Sequence, residues 1–102
     1  MPGNMSTYMI LFSFTQKGEE AIAELPSRVD HMKQVIKKLG GEIVGYYAIL
    51  GSTYDTVCIL KAPSEEKAAE MALGVARRGN VRAETHRLFT EEEVMQVVAA
   101  VP

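Results

Sequence analysis

The chain has 102 residues, 47% of them hydrophobic and 24% charged, with a formal net charge of −2. That length suits one domain with its own core, and the acidic balance speaks against a non-specific nucleic-acid binder, which carries a basic excess. A single cysteine excludes an internal disulfide framework and a multi-cysteine metal cage, and it fits a reducing, cytoplasmic setting.

Met1–Ser6 reads as a polar lead-in. Thr7–Phe14 reads as the first strand. Tyr8, Ile10, Phe12 and Phe14 fall on one side and Met9, Leu11 and Ser13 on the other, so both faces are largely apolar. Its apolar run is too short for a membrane span or a signal-peptide core, so no membrane is expected. Thr15 can cap a short helix that carries Glu19 and Glu20 near its positive end. Pro26 then predicts a break near Leu25 and the start of a longer helix, with a stripe at Val29, Met32, Val35, Ile36 and Leu39. His31 falls off that stripe and is expected to face solvent. Gly40-Gly41 ends the helix.

Ile43–Leu50 and Tyr54–Leu60, joined by Gly-Ser-Thr, carry a β-hairpin signal. Strict alternation puts Ile43 with Tyr47 and Ile49, and Val44 with Tyr46, Ala48 and Leu50. Val57 and Ile59 oppose Tyr54, Cys58 and Leu60. Pro63-Ser64 opens a second long helix with Ala68, Met71, Ala72 and Val75 on its apolar face. Val81–Phe89 is the last strand, with Arg82, Glu84, His86 and Leu88 on one side and Val81, Ala83, Thr85, Arg87 and Phe89 on the other. Thr90 and Glu93 have the spacing of a capping box for a terminal helix at 91–99, striped by Val94, Val97, Val98 and Val101.

The order is β-α-β-β-α-β plus a terminal helix: an α+β, ferredoxin-like domain spanning 1–102. Right-handed crossovers place both long helices on one face of the sheet and leave the other open. The open footprint is roughly 300–400 Å² from strand spacing and rise, as large as the biggest apolar patch of a typical monomer, roughly 300–600 Å². Burying it on two protomers gains about 15–20 kcal/mol gross, against an association cost of about 4–15 kcal/mol. A homodimer, or a higher oligomer, is expected.

Several landmarks then fall in order: Tyr8, Phe14-Thr15, Gly18, Leu39-Gly40-Gly41, Leu50-Gly51, Tyr54-Asp55, Ala62-Pro63 and Gly79-Asn80-Val81-Arg82-Ala83-Glu84-Thr85. Over about residues 7–90 the chain resembles the GYD domain family. Ser52-Thr53 lengthens the turn before Tyr54-Asp55 relative to that family's tight turn. The resemblance implies a dimeric α+β barrel, a group that includes heme enzymes, quinol-forming monooxygenases, isomerases and ligand sensors, and it assigns no activity by itself.

Candidate chemistry is sparse. Asp55 can set its turn through backbone N–H groups, or act as a general base or ligand anchor; Tyr54, one residue away, points to the other strand face. Arg82, Glu84 and His86 share a face and could bind an acid or polarise a carbonyl, or form a solvated edge or an intersubunit ion pair. Arg87 lies on the apolar side and calls for a carboxylate or an anion. His86 and Asp55 are the proton-carrier candidates, and Tyr47, Tyr54, Asp55, Arg82, Glu84 and Arg87 the ligand-binding ones. Without histidine–cysteine clusters, no metal or other cofactor is expected. Three readings follow: a homodimeric small-molecule binding or sensing module, a cofactor-independent monooxygenase- or isomerase-like enzyme, and a structural interaction domain.

Overall fold

A computed structural model describes residues 4–102. The elements run β1 (Ser6–Phe14), α1 (Gln16–Glu20), a 3-10 turn at Ile22–Glu24, α2 (Leu25–Lys38), β2 (Glu42–Ala48), β3 (Thr56–Ala62), α3 (Glu65–Ala76), β4 (Val81–Leu88) and α4 (Glu91–Ala99). The four strands form one antiparallel sheet in the order β2-β3-β1-β4, the ferredoxin-like arrangement expected. The lead-in is shorter than expected because Ser6 already pairs with Ala62, and residues 1–3 lie outside the described residues.

The core sits between the sheet and its helices. Tyr8, Ile10 and Phe12 of β1 and Cys58, Leu60 and Ala62 of β3 meet Met32 and Ile36 of α2 and Ala68, Met71 and Ala72 of α3. The alanines let α3 lie close on the sheet. Pro26 stands in the first turn of α2, where its missing N–H has no intrahelical acceptor to lose.

Two local features depart from the expected hairpin. First, the strands end at Ala48 and resume at Thr56, so residues 49–55 form a loop closed by the Ile49 N–H donating to the Asp55 carbonyl at 2.8 Å. Second, the register shifts between Ile43 and Gly45, a bulge that strict alternation could not foresee. Ile43 opposes Leu60 and Tyr46 opposes Cys58, so both pack on the core, while Tyr47 turns away. The extra residue, Val44, is left 56% exposed. The expected grouping of Ile43 with Tyr47 is therefore corrected.

The junction of β1, α1 and β4 explains why the landmark residues occur as they do. The Thr15 hydroxyl accepts from the Gly18 N–H at 3.1 Å and donates to the Gly79 carbonyl at 2.6 Å, and the Thr15 N–H donates to Asn80 O at 3.0 Å. A Cβ at Gly18 would stand 2.1 Å from that Asn80 oxygen, so only glycine admits this approach. Arg28 reaches across to the Ala21 and Gly18 carbonyls (2.7 and 3.2 Å) with its guanidinium over the Phe14 ring. Phe14, Thr15, Gly18, Gly79 and Asn80 thus lock one end of the sheet.

Candidate functional site

The sheet face away from α2 and α3 carries two aligned rows of side chains. Gly45, Ile59, Met9 and His86 lie side by side across the four strands, and so do Tyr47, Val57, Leu11 and Glu84. The centre is aliphatic because β1 and β3, the two inner strands, contribute Met9, Leu11, Val57 and Ile59. Tyr47 leans back over Gly45; a Cβ there would meet its hydroxyl at 2.5 Å, so the glycine leaves room for the ring. No helix among the described residues covers these rows, and Tyr47 remains 57% exposed.

The β4 margin of this face is polar. The Tyr54 hydroxyl, brought over from the loop, donates to Glu84 Oε1 at 2.6 Å, and His86 Nε2 lies 2.5 Å from Glu84 Oε2. The two hydrogen bonds, Tyr54 first and His86 second, hold the Glu84 carboxyl below the usual carboxylate range, and the same bond to Glu84 raises the Tyr54 phenol. A phenol, a carboxylate and an imidazole in a chain can pass a proton. Here they stand on an open surface, without walls to hold a substrate or exclude water. Arg82 lies beyond them, opposite Ser13 and exposed.

Asp55 stands apart from that chain. Its N–H donates to the Phe12 carbonyl at 2.8 Å, and its Oδ2 accepts the Phe14 N–H at 2.7 Å. The carboxylate supplies the acceptor that the departing strand no longer offers, and so extends the β1–β3 ladder past its last residue pair. Arg87 lies on the opposite side of β4 and faces α3. Its guanidinium is 4.9 Å from the Phe89 ring centre and 5.8 Å from that of Tyr8, and it pairs with Glu93 Oε2 at 3.1 Å. A second Arg87 nitrogen donates to the Leu88 carbonyl. The structure therefore gathers Tyr54, Glu84 and His86, leaves Tyr47 and Arg82 on the same face, and separates Asp55 and Arg87 from them.

A cavity of about 40 Å³ lies under α2: Phe12, Val29, Tyr46, Thr56 and Val75 form its wall, with Arg28, His31 and Arg78 among its lining. Sequence periodicity marks none of Thr56, Arg28, His31 or Arg78 as part of such a space. His31 is half-buried rather than solvent-facing, and burial together with Arg78 lowers its imidazole. Thr56 Oγ1 is buried and makes no hydrogen bond, although it lies close enough to the Tyr46 phenol to offset part of the upward push of burial. The alternation that places Thr56 on the core side was the available signal. At about 40 Å³ the space falls well below the roughly 300–1,000 Å³ of a small-molecule site. A wider groove, about 440 Å³, runs between α3 and β4. Among the described residues there is no cluster of three histidine, cysteine or carboxylate side chains placed to hold a metal ion.

A sequence profile described as "GYD domain" matches residues 8–98, nine-tenths of the chain. The chain belongs to the GYD domain family. The match runs beyond residue 90 through most of α4, further than the landmarks alone suggested. The chain is 32% identical over 82 residues to a Thermus thermophilus protein named "Glutamine synthetase and cystathionine beta-lyase binding protein", covering 79% of this chain and 85% of that one. Among solved structures it is similar to the leucine response regulatory protein LrpA of Mycobacterium tuberculosis, with a TM-score of 0.61 and 13% identity over 83% of this chain, which spans about half (51%) of that one. Ribosomal protein S6 of Thermotoga maritima gives a TM-score of 0.58 at 19% identity, covering 94% and 99% of the two chains. At such identities the likeness is one of fold: the GYD chain shares the four-stranded antiparallel sheet and its helices with both. No helix among the described residues is long and apolar enough to cross a membrane.

Proposed function

We propose that this GYD-domain chain is a self-associating protein-binding module whose copies pair through their open sheet faces and whose assembled form docks on a metabolic enzyme. The uncovered aliphatic rows carry this reading. Met9, Leu11, Val57 and Ile59, each half-buried, form a continuous strip on the inner strands with no helix of the described residues above it, and a contiguous apolar strip of this kind marks an interaction surface. The polar chemistry fits the rim of such an interface. Glu84 and His86 border the strip, where intersubunit hydrogen bonds would fix register and exclude wrong pairings at little cost in affinity. The relative named for binding glutamine synthetase and cystathionine beta-lyase supports an enzyme as the outside partner.

The test is direct binding of the purified chain to immobilised glutamine synthetase and to cystathionine beta-lyase from the same source. Saturable binding to either, weakened at least tenfold by Leu11→Glu, is expected. Absence of binding to both at 100 μM chain, a concentration on the order of 10² times a micromolar Kd, would overturn the enzyme-docking reading.

A second reading, a small-molecule binding or sensing module, draws on Thr56. Its unpartnered hydroxyl faces a cavity with an apolar wall and with Arg28, His31 and Arg78 in its lining, the composition of a ligand pocket that has yet to open. A thermal-shift screen of small carboxylates, repeated on Thr56→Val, separates the two readings. A stabilising ligand lost with Thr56→Val favours sensing, whereas no shift across the screen removes it.

A further inference from the structure

The terminal helix is the largest apolar feature that the sheet face does not account for. None of α4 is buried, and Val94, Met95, Val97, Val98 and Val101 are 37–66% exposed. Its own chain does not fold it back. A complete capping box, with Thr90 accepting from the Glu93 N–H and Glu93 accepting from the Thr90 N–H, fixes its first turn. Arg87, stacked against Tyr8 and Phe89, grips Glu93 from below. These contacts fix the root of α4 at one end of the groove between α3 and β4, from which the helix leads away.

The groove itself is unoccupied by any side chain of the described residues. Ala69, Ala72 and Leu73 of α3 and Ala83 and Thr85 of β4 line it, and Arg87 closes one end. Leu73 is 70% exposed at its rim, with Ala69 exposed beside it, on a helix whose Ala68, Met71 and Ala72 pack inward. Alanine floors admit a helix at close range, and the short branched side chains of α4 suit a shallow seat. We propose that α4 of one copy lies in the α3–β4 groove of a second copy, whose α4 returns the contact. Because each helix is rooted at the Arg87 end of its own groove, a two-fold axis near the paired Arg87 residues lays each across the other's groove. The exchange is isologous and closed.

Size decides that the exchange is mutual. At about 25 cal/mol per Å², a buried aliphatic side chain corresponds to roughly 60–120 Å², so Val94, Met95, Val97 and Val98 of α4 together with Val101 just past its end carry roughly 160–330 Å² at their exposures. Counting the groove surface they cover, one helix removes roughly 320–650 Å² from water and two remove roughly 650–1,300 Å². Only the pair reaches the ~1,200 Å² of a stable interface. The contact uses neither Met9, Leu11, Val57 nor Ile59, so it stands or falls separately from the sheet-face pairing.

Site-directed cross-linking tests it. Val98→Cys and Ala69→Cys chains, both at exposed positions, are prepared separately with distinguishable masses, mixed and treated with a short bis-maleimide; Cys58 is buried and stays out of the reaction. A covalent dimer joining one Val98→Cys chain to one Ala69→Cys chain is expected at more than tenfold the yield of either chain alone, and it should persist when both chains also carry Leu11→Glu. Cross-links only between two Val98→Cys chains, no cross-link, or loss of the mixed dimer in the Leu11→Glu background would each overturn the exchange. So would a double variant that cross-links only within one chain, because α4 would then cover its own groove.

Discussion

Replacing Asp55 by alanine removes the side-chain acceptor of the Phe14 N–H while leaving the backbone bonds of residue 55 in place. A hydrogen bond to a charged acceptor contributes about 1.5–3 kcal/mol, and the 2.7 Å distance is that of a charge-assisted bond. The site is only part-buried, so water can replace some of it and the lower half of that range, about 1.5–2 kcal/mol, is expected. Asp55→Asn keeps a carbonyl acceptor without the charge and should lose about half as much. Urea unfolding followed by circular dichroism at fixed chain concentration reads both. With m of about 1–3 kcal/mol per M, Asp55→Ala lowers the midpoint by about 0.5–2 M, and Asp55→Asn falls between it and the parent. An alanine variant within 0.5 kcal/mol of the parent would refute the structural role of this carboxylate. If that same variant lost partner binding, Asp55 would have to be moved to the functional surface.

Gly18→Ala sets a methyl against the Asn80 carbonyl and should cost about 1–3 kcal/mol, read as a lower thermal midpoint, with new amide shifts concentrated at Thr15 and Asn80. Glu84 has a depressed carboxyl pKa in the folded chain, so its contribution to stability is present above the ordinary carboxylate pKa and fades as pH falls through the depressed value. Carbon-detected titration should place Glu84 below the ordinary carboxylate range, and Tyr54→Phe should move it upward; an unchanged value would remove the phenol as the main cause. Burial pushes the Cys58 thiol up to about 11, so it should resist a thiol reagent at pH 8 until the chain unfolds. Rapid labelling of the folded chain would contradict its place in the core.

Much of the fold was legible because period and punctuation agreed. Val29, Met32, Val35 and Ile36 mark the face of α2, Pro26 its start, and Thr90 with Glu93 the root of α4. What escaped were features that local pattern does not encode. The bulge at Val44 changes the phase of β2 by one residue, and nothing in the run from Ile43 to Tyr47 signals it except Gly45, whose need becomes visible only when Tyr47 folds over it. His31 looked solvent-facing because helix periodicity ignores the neighbour that half-buries it, the α3–β4 corner with Arg78 and Asn80. The link from Tyr54 to Glu84 spans thirty residues and depends on how the 49–55 loop leans across β1, which no spacing rule gives. Arg87 was legible as an ion on an apolar side, and its carboxylate proved to be Glu93 from its own chain.

Whether a second copy covers the aliphatic rows is settled most directly by sedimentation equilibrium of the full chain beside Leu11→Glu, which sets a charge between Val57 and Glu84 at the centre of the face. The parent should sediment at twice the 11.2 kDa chain mass through the sheet faces alone, or at four times it or more where the α4 exchange holds as well, and the variant at no more than half the parent's mass. A parent that sediments as a single 11.2 kDa chain, or a folded variant whose mass equals the parent's, would contradict the account.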